Sequence, residues 1–144
     1  MENTQNKKTV LVTGSPSGIG LLTALNYARK GYITYASTRD INSETSENIR
    51  KISKTENISI IPIYLDLNIH SIIDNAVNEI IKNTGRIDVL INNAGYGYYS
   101  SVEDIDLEEF SKQFNTNVIG TLKLIKSVLP YMRNQKKGKI INLS

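Results

Sequence analysis

Short apolar runs alternate along this chain with longer stretches in which apolar positions recur every three or four residues. Thr9 to Thr13 is a β-rich run that stops at Gly14, and Ile19, Leu22, Leu25, Tyr27 and Ala28 then follow at helical spacing until Gly31. Ile33 to Ser37 predicts a second strand, and Ser43 to Lys54 a more polar helix with Ile49 and Ile52 on its buried face. Ile58 to Leu65 predicts a third strand, where Pro62 argues for an edge position because it donates no ladder hydrogen bond. Ile69, Ile72, Ile73, Ala76, Val77, Ile80 and Ile81 make the wide stripe of a helix ended by Gly85. Ile87 to Ile91 is continuously apolar, as expected of a strand covered on both faces. Asp106 is placed to cap a long helix with the stripe Phe110, Phe114, Val118, Leu122, Ile125 and Leu129, and Pro130 lies near its end. Lys139 to Leu143 predicts a fifth strand. Strand–helix–strand repetition with right-handed crossovers predicts an α/β fold, a doubly wound parallel sheet with helices on both faces.

Composition narrows the chemistry. A chain of 144 residues has the size of one domain, and a domain of that size buries roughly two-thirds of its unfolded surface. The absence of cysteine excludes disulfides, thiolate metal sites and cysteine nucleophiles. The single histidine, His70, excludes Ser-His triads and paired-histidine metal sites, so no metal is expected. Net charge is +3 with scattered lysines, and the cluster Lys136, Lys137 and Lys139 reads as a solvated turn before a strand. No basic stripe is interleaved with aromatics, so a nucleic-acid partner is not expected. Met1 to Lys8 is a polar tail without a signal-peptide core, and no apolar run is long enough to span a bilayer. The chain therefore reads as soluble and cytoplasmic.

Two strand ends carry motifs. Thr13-Gly14-Ser15-Pro16-Ser17-Gly18-Ile19-Gly20 joins the first strand to the first helix. Glycines there let the backbone approach a pyrophosphate, and the helix N-terminus supplies free N–H groups and partial positive charge. Gly14 suits the tight turn, Gly18 the close approach and Gly20 the packing of helix on strand. No Lys-Ser/Thr follows the last glycine, which argues against a P-loop. The second motif, Asn92-Asn93-Ala94-Gly95, closes the fourth strand.

The spacing Thr-Gly-x-x-x-Gly-x-Gly, together with Asn92-Asn93-Ala94-Gly95, resembles the short-chain dehydrogenase/reductase superfamily in its standard-length branch. Asp66-Leu67, the segment Asn115-Thr116-Asn117-Val118-Ile119-Gly120 and the run Gly138 to Ser144 extend that resemblance from Thr9 to the last residue. Tyr35 to Asp40, Asn93 to Gly97 and Leu129-Pro130-Tyr131-Met132-Arg133 look most like the steroid and retinol dehydrogenase group. The resemblance implies a Rossmann sheet in the order 3-2-1-4-5, spanning residues 9–144 as the dinucleotide-binding part. It implies an oxidoreductase that transfers hydride between a nicotinamide cofactor and a small-molecule alcohol or ketone.

By that resemblance the backbone around Gly14, Ser17, Gly18, Ile19 and Gly20 would hold the pyrophosphate, and the Ser17 hydroxyl would either bond a phosphate or cap the helix. Asp66 would accept from the adenine amino group beside the Leu67 backbone, its alternative being a cap on the next helix. Asn93, Ala94 and Gly95 would pass under the ribose and nicotinamide, while Asn92 ties neighbouring strands. Thr38 followed by Arg39 at the second strand's end favours NADP over NAD, since guanidinium matches a 2′-phosphate and Asp40 is expected to point to solvent. Asn117 would interrupt the long helix and hold a water that links the catalytic lysine to solvent. Ser144 is either the residue before the family's active serine or that serine itself.

The family's Tyr-x-x-x-Lys pair does not occur, and Tyr96, Tyr98 and Tyr99 have no lysine four residues on. Three readings follow: the N-terminal part of a truncated and inactive oxidoreductase, a non-catalytic NADP(H)-binding module, or a non-functional remnant. An unpaired fifth strand and partial exposure of Phe110, Phe114, Leu122 and Ile125 also predict self-association through the long helix at 106–133.

Overall fold

The structure, a computed structural model, describes residues 7–144. Most of the polar segment expected at 1–8 therefore lies outside the described residues. Those residues form five parallel strands in the order β3-β2-β1-β4-β5, as the family resemblance implies. In chain order the elements are β1 (Thr9–Val12), α1 (Gly18–Arg29), β2 (Ile33–Thr38), α2 (Glu44–Thr55), β3 (Ile60–Tyr64), α3 (His70–Thr84) and β4 (Val89–Asn92). There follow α4 (Leu107–Phe114), a π-helical segment (Asn115–Gly120), α5 (Thr121–Asn134) and β5 (Lys139–Asn142). Pro62 is on an edge strand, β3, and faces Ala36 of β2.

Continuously apolar strands serve two cores because successive side chains point to opposite faces. Leu11 joins Tyr35, Ile63, Leu90 and the inner faces of α3 and α5. Its neighbours Val10 and Val12 join Ala36, Ile91 and residues of α1 and α2 on the other side. The helices end where their sequences stop supporting them. Ser43 caps α2 by accepting from the Ser46 N–H, and Gly85 closes α3 in the left-handed conformation at φ 72°.

The long helix carries part of its apolar stripe on the outside, as the sequence predicts. Asp106 caps α4 as expected, accepting from the N–H groups of Glu108 and Glu109. Phe110, Phe114, Val118 and Leu122 are exposed, and the face against the sheet is Gly120, Leu124, Val128 and Met132. Upstream of the π-helical segment α4 buries no residue, so the stripe lies on the outer face from its start. Gly120 also brings the helix against Leu67, where a Cβ would lie 2.3 Å from the Leu67 carbonyl oxygen. The helix then runs on past Pro130 to Asn134.

At the edge of the sheet opposite the motifs, Asp88 joins three strands. Its N–H donates to the Thr9 carbonyl, its carbonyl accepts from the Lys139 N–H, and its carboxylate accepts from the Thr9 N–H at 2.8 Å. Arg86 pairs with the same carboxylate, which raises the Arg86 pKa chiefly through that hydrogen bond. Asp88→Ala leaves the buried Thr9 N–H without its partner. The expected cost in urea denaturation is about 1–3 kcal/mol, at an unchanged m-value.

Candidate cofactor site

In a parallel sheet every strand presents its carboxyl end to the same edge. Here the chain moves outward from β1 through β2 to β3, then returns to place β4 on the other side of β1, which opens a crevice between them. A cavity of about 300 Å³ lies at that edge. It is lined by Gly14 and Pro16 after β1, Ser37, Thr38 and Arg39 at the end of β2, and Leu65, Asp66, Leu67 and Asn68 after β3. Asn93 to Tyr96 after β4 and Thr116 from the π-helical segment complete it.

The glycine loop is built from left-handed backbone and close contacts. Gly14 has φ 64°, and a Cβ there would approach Ala94 Cα to 2.8 Å. A Cβ at Gly20 would meet the Gly14 carbonyl oxygen at 2.1 Å, so only glycine lets α1 start this close to β1. Gly18, at φ 56°, faces open space. Ser17 is the N-cap residue of α1, yet its side chain makes no capping bond, and the first turn of α1 holds no acidic residue. The α1 N-terminus thus keeps uncompensated positive potential beside the cavity. Ile19, also in that first turn, is largely exposed.

Thr13 and Asn93 fasten this loop to β4. The Thr13 hydroxyl accepts from the Asn93 and Ala94 N–H groups at 3.0 and 2.9 Å. In return the Asn93 side-chain amide donates to the carbonyl oxygens of Thr13 and Gly14. Ser37 secures the other side, its hydroxyl accepting from the Gly14 N–H at 3.1 Å and its carbonyl from the Ser15 N–H. Asn92 ties strands as expected, donating to the Asn142 side chain at 2.8 Å.

At the end of β2, the buried Thr38 closes a turn. Its hydroxyl donates to the Asp40 carbonyl and accepts from the Asp40 N–H. Arg39 is left exposed on the cavity wall, whereas the Asp40 carboxylate lies outside it and accepts from the Asn42 N–H. After β3, Asp66 does not cap α3, which begins at His70 with Ile69 as its N-cap residue. The Asp66 Oδ1 instead accepts from both the N–H and the side-chain amide of Asn68.

Most of the residues singled out from the sequence converge here: Gly14, Thr38, Arg39, Asp66, Leu67, Asn93, Ala94 and Gly95 all line the cavity. Ser17, Gly18, Ile19 and Gly20 continue from the lining residue Pro16 but do not line it. Asn117 stands behind the wall, its amide accepting from the Tyr96 N–H and donating to the Tyr96 carbonyl. Ser144 follows β5 outside the lining and is exposed. Sequence reasoning assigned no role to Thr13, Ser37, Asn68 or Thr116. Thr13 was visible inside the glycine motif, whereas the others are polar residues whose importance arises only from what the fold sets beside them.

Residues 8–144 match the family model described as short chain dehydrogenase. The chain belongs to this family. Among curated short-chain dehydrogenase relatives, it is 41% identical over 135 residues to a 3-ketodihydrosphingosine reductase of Bacteroides thetaiotaomicron, covering 94% of this chain and 46% of that protein. It is 35% identical over 147 residues to a 7alpha-hydroxysteroid dehydrogenase of Paraclostridium sordellii, covering 99% of this chain and 54% of that protein. The chain spans about half the length of the curated relatives it matches. Among solved structures, a gluconate 5-dehydrogenase from Burkholderia cenocepacia J2315 in complex with NADP and tartrate superposes with a TM-score of 0.85 at 25% identity. That match covers 96% of this chain and 54% of the other.

No helix among the described residues is long and apolar enough to cross a membrane. Nor do the described residues group three or more His, Cys, Asp or Glu side chains as a metal site. The Thr13 contacts carry a test of the site's architecture. Thr13→Val removes the acceptor for two part-buried N–H groups and should destabilise the chain by about 1–3 kcal/mol in denaturant titration. Amide exchange at Asn93 and Ala94 should accelerate in the same variant.

Proposed function

We propose that the crevice binds NADP(H) and that the protein is an oxidoreductase of the short-chain dehydrogenase type, acting on a small-molecule alcohol or ketone. The observation that carries this reading is the arrangement at the end of β2, with Arg39 on the cavity wall and the Asp40 carboxylate outside it. A 2′-phosphate there meets a planar, permanently charged donor and no facing carboxylate. The NADP bound by the gluconate 5-dehydrogenase supports the same assignment.

The remaining residues fit such a group. Gly14, Gly18 and Gly20 keep side chains out of the pyrophosphate path, and the α1 N-terminus with Ser17 and Ile19 supplies donors to it. The uncapped Ser17 hydroxyl favours phosphate bonding over a helix-capping role. Asp66 and the Leu67 backbone receive adenine, while Ala94 and Gly95 leave room for the ribose and nicotinamide. The Asn93 amide acts indirectly, holding the glycine loop closed. When bound, the nicotinamide supplies or takes up the hydride, and the substrate oxygen exchanges a proton with an acid. Asn117 contributes by holding the Tyr96 backbone and by marking the π-helical break, where a water can meet main-chain carbonyls. Ser144, on the same sheet edge, belongs to the substrate-oxygen side of the reaction.

Titrating the 144-residue chain with NADPH and NADH, read by nicotinamide fluorescence, tests the assignment. NADPH should bind more tightly. Arg39→Asp should weaken it by about 1.5–3 kcal/mol, roughly 10- to 100-fold. Tighter binding of NADH by the unmodified chain overturns the NADP reading. Binding without NADPH-dependent turnover of ketones is common to an inactive oxidoreductase and a non-catalytic NADP(H)-binding module; turnover restored by joining a C-terminal segment with Ser and Tyr-x-x-x-Lys from a relative favours the former.

Self-association through the helix at 106–133 belongs to the same proposal, because Phe110, Phe114, Val118 and Leu122 recur every four residues on its outer face and are all exposed. Burying one such side chain is worth about 1.5–3 kcal/mol. Phe114→Glu with Leu122→Glu should shift sedimentation toward monomer while leaving NADPH binding intact. An unchanged sedimentation profile would count against the stripe as the contact.

A further inference from the structure

Resting on the cofactor assignment above, we infer that Thr116 and Asn68 are positioning residues that set the Asp66 carboxylate to read the adenine amino group. The Thr116 hydroxyl donates to Asn68 Oδ1 at 3.0 Å. The Asn68 side-chain nitrogen then donates to Asp66 Oδ1 at 3.1 Å, and the Asn68 backbone N–H donates to the same oxygen at 2.9 Å. All three residues line the cavity. Asp66 Oδ2 receives neither of these bonds, so one carboxylate oxygen is anchored while the other stays available to a ligand donor.

The chemistry of the groups fixes the sense of this chain of bonds. An ionised carboxylate only accepts, so the Asn68 amide must turn its NH2 toward Asp66 and its oxygen toward Thr116. The Thr116 hydroxyl must therefore donate. Without that hydroxyl, the amide loses the partner that holds its oxygen away from the carboxylate, and the flipped amide opposes one acceptor to another. Thr116 thus governs Asp66 across 50 positions of sequence through one intervening side chain.

Thr116 is itself held in place. It lies in the π-helical segment, whose next residue, Asn117, grips the backbone of Tyr96 on the opposite cavity wall. Gly120, at the end of that segment, packs against the Leu67 backbone. The donor is therefore mounted on an element anchored to both walls, and its position relative to Asn68 is set by backbone packing as well as by its own bond.

Base discrimination distinguishes this role from simple bracing. The probes are NADPH and its hypoxanthine counterpart, which lacks the 6-amino group but keeps both phosphates, ribose and nicotinamide. A hydrogen bond to a charged acceptor predicts that the unmodified chain prefers NADPH by about tenfold or more. Asp66→Asn should abolish that preference. Thr116→Val should narrow it about three- to tenfold by weakening NADPH binding alone, and Thr116→Ser should restore it. Asn68→Ala should narrow it at least as much as Thr116→Val does. Equal weakening of both nucleotides by Thr116→Val, or an unchanged ratio in a variant with unaltered Tm, overturns the relay while leaving the cofactor assignment standing. Failure of the unmodified chain to bind either nucleotide overturns the assignment and the relay with it.

Discussion

The reciprocal grip between Thr13 and Asn93 is the contact on which the candidate site depends. One hydroxyl accepts two successive N–H groups from the chain leaving β4, and one side-chain amide returns two bonds to the carbonyls of the chain leaving β1. These are the neighbouring strands whose connections part to opposite sides, which makes the crevice. Polar backbone at that junction has no sheet partner, so each bond meets a requirement that burial imposes. The glycines then serve the junction: any side chain at Gly14 or Gly20 would push against Ala94 or the loop's own carbonyl. The small residues are therefore needed for the strand ends to meet as well as for access to the crevice.

A second constraint comes from the π-helical segment. Helices on this face of the sheet pack through α3 and α5, with Leu124, Val128 and Met132 buried. Between α4 and α5, the segment Asn115–Gly120 turns three small or polar residues to separate tasks. Thr116 reaches Asn68, Asn117 holds Tyr96, and Gly120 seats the helix on Leu67. The resulting wall joins the loops after β3 and β4, which sheet hydrogen bonds do not connect. The outer apolar stripe begins upstream of this segment, at Phe110 and Phe114.

The elements, their limits and the two-faced core were legible in the sequence, because period and punctuation are local signals, whereas the strand order followed from the family resemblance. Ile87 to Ile91 read as a strand covered on both faces, and Gly85 read as the end of α3. The glycine loop and the Asn93-Ala94-Gly95 run identified the cavity walls after β1 and β4 for the same reason, since backbone geometry there demands particular residues in a particular order. The exposure of Phe110, Phe114 and Leu122 was anticipated, while Ile125 packs partly against the core, and nothing in the periodicity of the stripe reveals that the helical repeat changes at Asn115.

By itself the sequence determined the sheet, its edge of strand ends and the glycine-shaped entrance to the crevice, because those rest on hydrophobic period and on backbone conformations that few residues adopt. Only the tertiary structure decided how polar side chains are used. Thr13 became a double acceptor, Ser37 a support for Gly14, and Asp66 the end of a bond network rather than a helix cap. Hydrogen-bond partners 23 to 81 residues apart leave no periodic trace in the chain. Their pairing is set by which strand ends the parallel crossovers bring side by side, and a buried or half-buried donor takes the acceptor that the packing leaves within reach.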